Sequence, residues 1–302
     1  MRLEDFRKSD NVEDAGGGGS FGGGGIRLGG GALILIVIVS LLFGINPLTL
    51  IGGLESVAPP GGQSAPSEPP PGYGPQRENA PPGTRPSAPV NPAKDLAARV
   101  LGDTEDVWGA VFKSMGGTYQ PPTLVFFAGS VRSACGLASA AVGPFYCPGD
   151  RKLYLDTAFF DELAHRFKAP GDFAQAYVIA HEVGHHVQNL TGVMQQVDAR
   201  RQRLDDRGNN ALSIRVELQA DCYAGVWAYF AQQRNKLDTG DIEEGFAAAS
   251  AVGDDQIQKR TQGYVVPDSF THGTAAQRLG WFKTGFASGD MRKCDTFASR
   301  AP

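Results

Sequence analysis

The hydrophobic pattern divides the chain into four parts of different character. Residues 1–31 are first charged and then glycine-rich, and residues 32–54 carry no charged side chain at all. Residues 55–93 are rich in Pro and Gly, whereas residues 94–302 have the mixed composition of a globular domain. Glycine repeats bury too little apolar surface to offset their ordering entropy, so the first part is predicted to be a disordered arm. The third part is predicted to be an extended linker.

The apolar second part is long enough to cross a membrane as a helix, because about twenty apolar residues span a hydrocarbon core. Arg27 lies close to its N-terminal end, whereas no basic residue occurs between Ile51 and Gln76. Basic residues favour the cytoplasmic side. The pattern therefore predicts one transmembrane helix, a cytoplasmic N-terminus and a periplasmic or extracellular domain, with membrane lipid as a partner. A buried core helix and a cleaved signal peptide are the alternatives.

Within the globular part, the pattern predicts an α+β fold that is mainly helical and carries a small β-sheet. Apolar positions from Leu96 to Met115 recur at helical spacing, but Gly102 and the acidic residues after it resemble a helix end and a new start. Two short helices are therefore expected there. The other predicted elements are strands at 123–127 and 152–156 and helices at 173–190, from 210 or 213 to 233, and at 274–286.

Charge and cysteine content narrow the class of protein. The formal net charge is −4 and no long run of Lys or Arg occurs, which argues against a nucleic-acid partner held through phosphate contacts. All four cysteines lie in the globular part and none forms a CxxC pair, which argues against a Cys-based zinc site. In an oxidising compartment three pairings are possible, and Cys135–Cys147 with Cys222–Cys294 is preferred. The oligomeric state is unknown from the sequence.

A metal-binding pattern lies in the helix predicted at 173–190. Residues 181–185 read HEVGH, an HExxH sequence, and residues four apart share one face of a helix, so both imidazoles can reach one ion. His181 and His185 are therefore predicted metal ligands. Glu182 lies one step around the helix and is predicted to be the catalytic general base. The alternative is a pair of structural histidines on a core helix.

A third protein ligand is expected, because a catalytic zinc usually takes three and leaves one position open. Glu217 and Asp221 form an ExxxD pair on one face of the next long helix, among apolar residues. Glu217 is predicted to bind the metal and Asp221 to support a histidine ligand from behind. The reverse assignment and an exposed acidic helix face are the alternatives. His165 and His186 are expected to be structural or solvated.

These two motifs resemble those of the gluzincin metallopeptidases. More narrowly, residues 181–188, 217–222 and 271–278 are similar to the bacterial putative neutral zinc metallopeptidase family. The resemblance implies a zincin-like peptidase domain with Zn²⁺ as its cofactor. In gluzincins a histidine far downstream donates to the tetrahedral intermediate, which implies a catalytic role for His272. Asp268 is expected to hold its ring, and a capping or packing role for this histidine is the alternative.

The function predicted from these features is hydrolysis of peptide bonds by a membrane-anchored zinc endopeptidase. The substrate is a peptide or protein, and Glu182 takes a proton from a metal-activated water and returns it to the leaving amine. The alternative is a non-catalytic domain in which zinc is structural and the surface recruits a partner at the membrane. Four filled zinc positions would favour that alternative, whereas an open position would favour the enzyme.

Overall fold

Helices make up most of the described chain, which comprises residues 1–17 and 91–298 of a computed structural model. The helices are α1 (Pro92–Ser114), α2 (Ala158–His165), α3 (Asp172–Leu190), α4 (Val193–Arg201), α5 (Asp206–Gln233), α6 (Asp241–Ala251), α7 (Asp254–Gln262) and α8 (Ala275–Ser288). The strands are β1 (Val12–Gly17), β2 (Thr123–Ala128), β3 (Ser130–Ser133), β4 (Gly136–Ser139), β5 (Phe145–Cys147) and β6 (Lys152–Leu155). The described part is thus mainly helical with a small sheet, as predicted.

Four of the strands form one sheet in the order β1-β2-β6-β5. The first three are mutually parallel, and β5 runs antiparallel to β6 at the far edge. Four consecutive residues of β2, Leu124 to Phe127, are buried, as expected for a central strand that is covered on both faces. β3 and β4 form a separate hairpin. The two strands predicted from the sequence, now β2 and β6, are neighbours in this sheet.

The core is centred on α3 and α5. Phe173 and Tyr177 of α3 and Trp227 of α5 are fully buried, and the rings of Phe173 and Trp227 stack with their centroids 5.6 Å apart. The last helix, α8, packs against α5, and Phe282 on it contacts Tyr177 edge-on. All three long predicted helices are present. α5 begins before its predicted start because the side chain of Asp205 caps it.

The first helix of the domain is continuous, and the prediction of two short helices is wrong. α1 passes through Gly102 without a break. The acidic side chains that resembled a new helix start have tertiary partners instead. Asp103 is fully buried and accepts hydrogen bonds from Trp227 Nε1, Arg234 Nη2 and Lys236 Nζ at 2.6–2.9 Å. The acidic residues after Gly102 therefore serve long-range ion pairing and do not mark a helix end.

Residues 1–17 fold against the domain rather than forming the disordered arm that was predicted. Phe6 is 2% exposed within the main core, and β1 extends the sheet beside β2. Glu105 on α1 holds this arm, because its carboxylate accepts from Arg7 Nη2 and Ser9 Oγ at 2.6 Å and from Asn11 Nδ2 at 2.8 Å. Residues 18–31 of the predicted arm lie outside the described residues.

The predicted single-pass membrane topology requires correction. In residues 1–17 and 91–298, no helix has both the length and the apolar character needed to cross a membrane. The predicted span, 32–54, and residues 55–90 of the predicted linker lie outside the described residues. One crossing between arm and domain would place them on opposite sides of a membrane, yet β1 and β2 are paired in one sheet. The transmembrane helix, the single-pass localisation and the lipid partner are therefore not supported.

Gly102 permits the close approach of the arm to α1. A Cβ atom at this position would lie 2.1 Å from the carbonyl oxygen of Arg7, which belongs to the backbone and cannot rotate away. We expect Gly102→Ala to lower the free energy of unfolding by about 1–3 kcal/mol, as overpacking does. Denaturant unfolding measures the loss, and hydrogen exchange in residues 1–17 should rise with it.

Gly109→Ala is the matched control for this substitution. Gly109 lies in the same helix, but a Cβ there would meet no atom within 4 Å. Since alanine favours a helix over glycine by about 1 kcal/mol, this control should be neutral or stabilising. Equal stability of the two variants would contradict the proposed role of Gly102.

Candidate metal centre

The two motif helices, α3 and α5, lie in close contact at Gly184. A Cβ atom at this position would lie 2.9 Å from the carbonyl oxygen and 3.0 Å from the Cα of Ala220. Glycine is therefore the residue that permits this separation. His181 and His185 flank it on α3, and Glu217 and Asp221 flank Ala220 on α5. The contact thus brings the two predicted motifs face to face.

The three predicted metal ligands converge on one small space. The Nε2 atom of His181 lies 3.1 Å from Glu217 Oε2, and the Nε2 atom of His185 lies 3.5 Å from Glu217 Oε1. One ligand atom from each residue lies within 4.8 Å of the others. The side chains are 8%, 11% and 18% exposed respectively, so the space is accessible but largely shielded from water.

The geometry of these donors fits a zinc ion. Ligand atoms about 2.0–2.1 Å from a tetrahedral zinc lie roughly 3.3 Å from one another. The separations of 3.1 and 3.5 Å between the histidine nitrogens and Glu217 bracket this value. Two imidazoles and one carboxylate are also a donor set that catalytic zinc sites use, with the fourth position left for water or substrate.

Asp221 supports His181 from behind and is itself held on all sides. Its Oδ1 atom accepts from His181 Nδ1 at 2.8 Å and from the Tyr177 hydroxyl at 2.5 Å. Arg278 of α8 donates from Nε to Oδ2 at 2.8 Å and from Nη2 to Oδ1 at 2.9 Å. Both Asp221 and Arg278 are buried. The Asp221 carboxylate can only accept, so it holds a proton on His181 Nδ1, and Nε2 is the nitrogen that faces Glu217 and would bind a metal.

The electrostatics of the site follow from burial opposed by charge pairing. Burial alone would raise the pKa of Asp221, but the charges of Arg278 and His181 outweigh it and lower that pKa. Burial would likewise lower the pKa of His181, yet the Asp221 carboxylate raises it to about 9 in the metal-free protein. Burial would raise the pKa of Glu217, whereas the neighbouring histidines hold it well below its usual value. Burial raises the pKa of Glu182.

His272 lies near this cluster, and its ring is held by Asp254 rather than by the expected Asp268. Its Nδ1 atom lies 3.2 Å from Asp254 Oδ1, and Asp254 Oδ2 accepts from the backbone N–H of Thr271, His272 and Gly273. Burial would lower the pKa of His272, but Asp254, with a contribution from Glu217, raises it. Asp268 is 77% exposed and lies 3.5 Å from Arg207. The expectation for Asp268 is therefore wrong.

The other two histidines have contacts that do not involve the cluster. His186 is fully buried, with Nε2 2.6 Å from the carbonyl oxygen of Gln120 and Nδ1 3.0 Å from the Tyr146 hydroxyl. Burial lowers its pKa to about 4, so it is neutral. His165 is exposed and its Nδ1 contacts the carbonyl oxygen of Asp161.

Four residues around the site carry interactions that the sequence analysis did not predict: Tyr177, Gln188, Asp254 and Arg278. Tyr177 lies four residues before His181, at the same helical spacing that identified the ligand pair, so periodicity alone offered a signal. Arg278 is a buried charge on a helix that packs against the core, and a buried charge requires a partner. Asp254 had no local signal, because its backbone partners follow it by 17–19 residues.

Two disulfides join the four cysteines in the preferred pairs. Cys135 pairs with Cys147, and Cys222 pairs with Cys294. The second bond starts one residue after Asp221 and ties α5 to the segment that follows α8. The disulfide prediction is confirmed.

Comparison with known proteins agrees with this geometry. The family profile described as "Putative neutral zinc metallopeptidase" matches residues 1–297. The chain belongs to this family. Membership implies Zn²⁺ as the cofactor and a peptidase reaction in broad terms, with a peptide or protein as substrate. The match extends through the N-terminal arm, in agreement with the packing of residues 1–17 on the domain.

Relatives occur in distant bacteria. The chain is 52% identical over 212 residues to uncharacterized protein YpfJ of Escherichia coli (strain K12), which covers 69% of this chain and 74% of that protein. It is 47% identical over 201 residues to uncharacterized protein Rv2575 of Mycobacterium tuberculosis (strain ATCC 25618 / H37Rv), which covers 63% and 67% respectively. No solved structure matches the chain.

Replacement of only one partner of the Arg278–Asp221 ion pair should lower the free energy of unfolding substantially. Arg278→Met leaves a buried carboxylate without its cation, so we expect the metal-free protein to lose about 3–5 kcal/mol in its free energy of unfolding. The double variant Asp221→Asn with Arg278→Met should lose less than Arg278→Met alone, because no charge is then stranded. Denaturant unfolding of chelator-treated protein measures both.

The exposed pair of Arg292 and Asp290 provides the control. Its Nη2 to Oδ2 distance is also 2.8 Å, but the arginine side chain is 83% exposed. Arg292→Met should therefore leave unfolding unchanged within error. If Arg278→Met is as mild as this control, the buried pair does not have the structural role assigned to it.

Proposed function

We propose that the protein is a zinc-dependent endopeptidase with His181, His185 and Glu217 as metal ligands. One observation carries the proposal. The Nε2 atoms of both histidines face the Glu217 carboxylate across a zinc-sized space, while each Nδ1 atom is held by an acceptor behind the ring. Two histidines that only pack in a core are not expected to direct both Nε2 atoms towards the same carboxylate.

Different residues of the chain have different roles in the proposed peptide hydrolysis. When bound, zinc supplies Lewis acidity, which polarises the scissile carbonyl and lowers the pKa of water. Glu182 follows His181 on the ligand helix and acts as the general base. It accepts a proton from the attacking water and returns that proton to the leaving amine. Asp221 keeps His181 in the tautomer that binds through Nε2.

His272 is the proposed donor to the oxygen of the scissile carbonyl. The Asp254 contact orients its ring through Nδ1, which leaves Nε2 for the substrate. The Asp254 carboxylate also accepts three consecutive backbone N–H groups around His272, so the loop that carries this histidine is fixed. A fixed donor stabilises the developing charge without a reorganisation cost at the moment of reaction.

The edge strand β5 offers a place for an extended peptide. Within the described residues, β5 pairs with β6 on one side and has no strand on the other. The Tyr146 hydroxyl of β5 contacts His186 and accepts from Asn189 Nδ2, both on α3, so this edge lies beside the ligand helix. A substrate strand added here would meet the metal ligands by β-augmentation.

A purely structural zinc is the weaker alternative. Structural sites usually close their coordination with four protein ligands. In the described part of the chain, the cluster consists of His181, His185 and Glu217, and no fourth His, Cys, Asp or Glu joins them. The open position supports an enzyme over a zinc-stabilised scaffold.

Replacement of Glu182 tests the enzyme assignment. We expect Glu182→Gln to retain stoichiometric zinc and to lose peptidase activity, because an amide cannot accept the proton of the attacking water. Zinc content is measured by elemental analysis and activity with a casein or peptide-library digest. Glu217→Ala is the matched control, since it removes a ligand and should lose zinc and activity together. Full activity of Glu182→Gln would refute the mechanism.

Replacement of His272 tests the proposed carbonyl donor. His272→Phe keeps a ring of similar size without a donor, so we expect zinc to remain while kcat/KM falls by about 10²–10³-fold. His165→Phe, at an exposed histidine whose ring contacts Asp161 of its own helix, should leave kcat/KM unchanged. If both variants have the wild-type kcat/KM, His272 has only a packing role.

A further inference from the structure

The two histidine ligands are supported in chemically different ways. His181 Nδ1 faces the carboxylate of Asp221, whereas His185 Nδ1 lies 2.9 Å from Oε1 of Gln188, a neutral amide. Gln188 is fully buried and lies on α3 itself, three residues after His185. An amide can present either an acceptor oxygen or a donor nitrogen, so its orientation decides which nitrogen of His185 carries the proton.

The orientation of the Gln188 amide is fixed by a backbone carbonyl. Its Nε2 atom lies 2.7 Å from the carbonyl oxygen of Val216, which can only accept. The same Nε2 atom lies 3.1 Å from Oε1 of Gln219. A flipped amide would place its oxygen against the Val216 carbonyl. Oε1 of Gln188 therefore faces His185, and His185 donates from Nδ1.

The backbone carbonyl of Cys294 fixes the orientation of the Gln219 side-chain amide in the same way. Gln219 is 5% exposed, and its Nε2 atom donates to the carbonyl oxygen of Cys294 at 2.9 Å. Its Oε1 must then face Gln188. Cys294 is itself bonded to Cys222 on α5, three residues after Gln219. The disulfide thus holds the carbonyl at the far end of this hydrogen-bonded chain.

We propose that Gln188 and Gln219 are positioning residues for zinc, and that the Cys222–Cys294 disulfide anchors them. The chain of hydrogen bonds runs from the Cys294 carbonyl through both amides to His185 Nδ1. It holds His185 in the Nδ1–H tautomer, so that the Nε2 lone pair points towards Glu217. This inference rests on the zinc site proposed above, but its experiment measures metal affinity and tautomer rather than peptide hydrolysis.

The zinc dissociation constant is measured by competition with a chelator in the full chain. Gln188→Met removes the acceptor of the His185 Nδ1 proton while keeping a similar side-chain volume. We expect the zinc affinity to fall by about 10–100-fold, as it does when other groups that orient metal ligands without binding the metal are replaced. Gln219→Met should give a smaller loss in the same direction. Gln175→Met, also on α3 but more than two turns from His185, is the matched control and should bind zinc as the wild type does.

The disulfide arm of the experiment compares two double variants. Replacement of Cys222 and Cys294 by alanine should weaken zinc binding to a degree similar to Gln219→Met. Replacement of Cys135 and Cys147 by alanine also removes one disulfide, but the carbonyl of neither residue contacts the two amides. Equal zinc affinity of the two double variants would overturn the anchoring role of Cys222–Cys294.

A second measurement separates the tautomer from general loosening of the fold. Nitrogen-15 NMR of the imidazole rings in mildly alkaline buffer should show the proton of His185 on Nδ1 in the metal-free wild type. In Gln188→Met the proton should shift towards Nε2, the tautomer that an unsupported histidine prefers, whereas Gln175→Met should leave it in place. A structural role alone predicts no selective change at His185.

The outcomes distinguish the two proposals. Wild-type zinc affinity and an unchanged His185 tautomer in Gln188→Met would overturn the role of the two amides and leave the zinc site intact. Failure of the wild type to bind zinc would overturn the proposed function. In that case the metal-free spectra still decide whether Gln188 fixes the tautomer of His185.

Discussion

The arrangement of the domain depends on a single buried charge, the carboxylate of Asp221. A carboxylate removed from water is costly unless hydrogen bonds and an opposite charge replace the lost hydration. Asp221 on α5 finds these partners only when α3 supplies Tyr177 and His181 and α8 supplies Arg278. Displacement of either neighbouring helix would remove some of these partners. The contacts that stabilise Asp221 therefore also set the relative positions of the helices that carry the proposed ligands.

His181 is held by a carboxylate and His185 by a neutral amide, and this difference affects the charge of the site. A carboxylate behind a ligand histidine makes that ligand more basic, and Arg278 offsets much of the charge that Asp221 introduces. An amide behind His185 fixes its tautomer without adding charge. Among the proposed ligands and the groups behind them, Glu217 therefore supplies most of the net negative charge. A bound divalent ion keeps part of its positive charge, which is what polarisation of a carbonyl requires.

The sequence predicted the features that depend on local spacing and missed those that depend on distant partners. HExxH and ExxxD are helical spacings, so His181, His185, Glu217 and Asp221 could be grouped before any tertiary contact was known. Arg278 and Asp254 act across long stretches of chain, and no periodicity identifies such partners. The same limit explains the errors. The acidic residues after Gly102 resembled a helix start, and residues 1–17 resembled a disordered arm, because the ion pairs and strand pairing that stabilise both lie far away in the sequence.

The N-terminal arm and the proposed substrate use opposite edges of one sheet. β1 occupies the edge beside β2, and Phe6, earlier in the same arm, is part of the main core. An exposed strand edge is a template for pairing, so a sheet with two open edges would offer two competing sites for an extended chain. With the arm in place, β1 is the edge strand on that side, and β5 is the edge strand whose Tyr146 contacts the ligand helix. Of these two edge strands, β5 is the one whose side chain contacts α3, so the proposed addition of a substrate strand belongs at β5 rather than at β1.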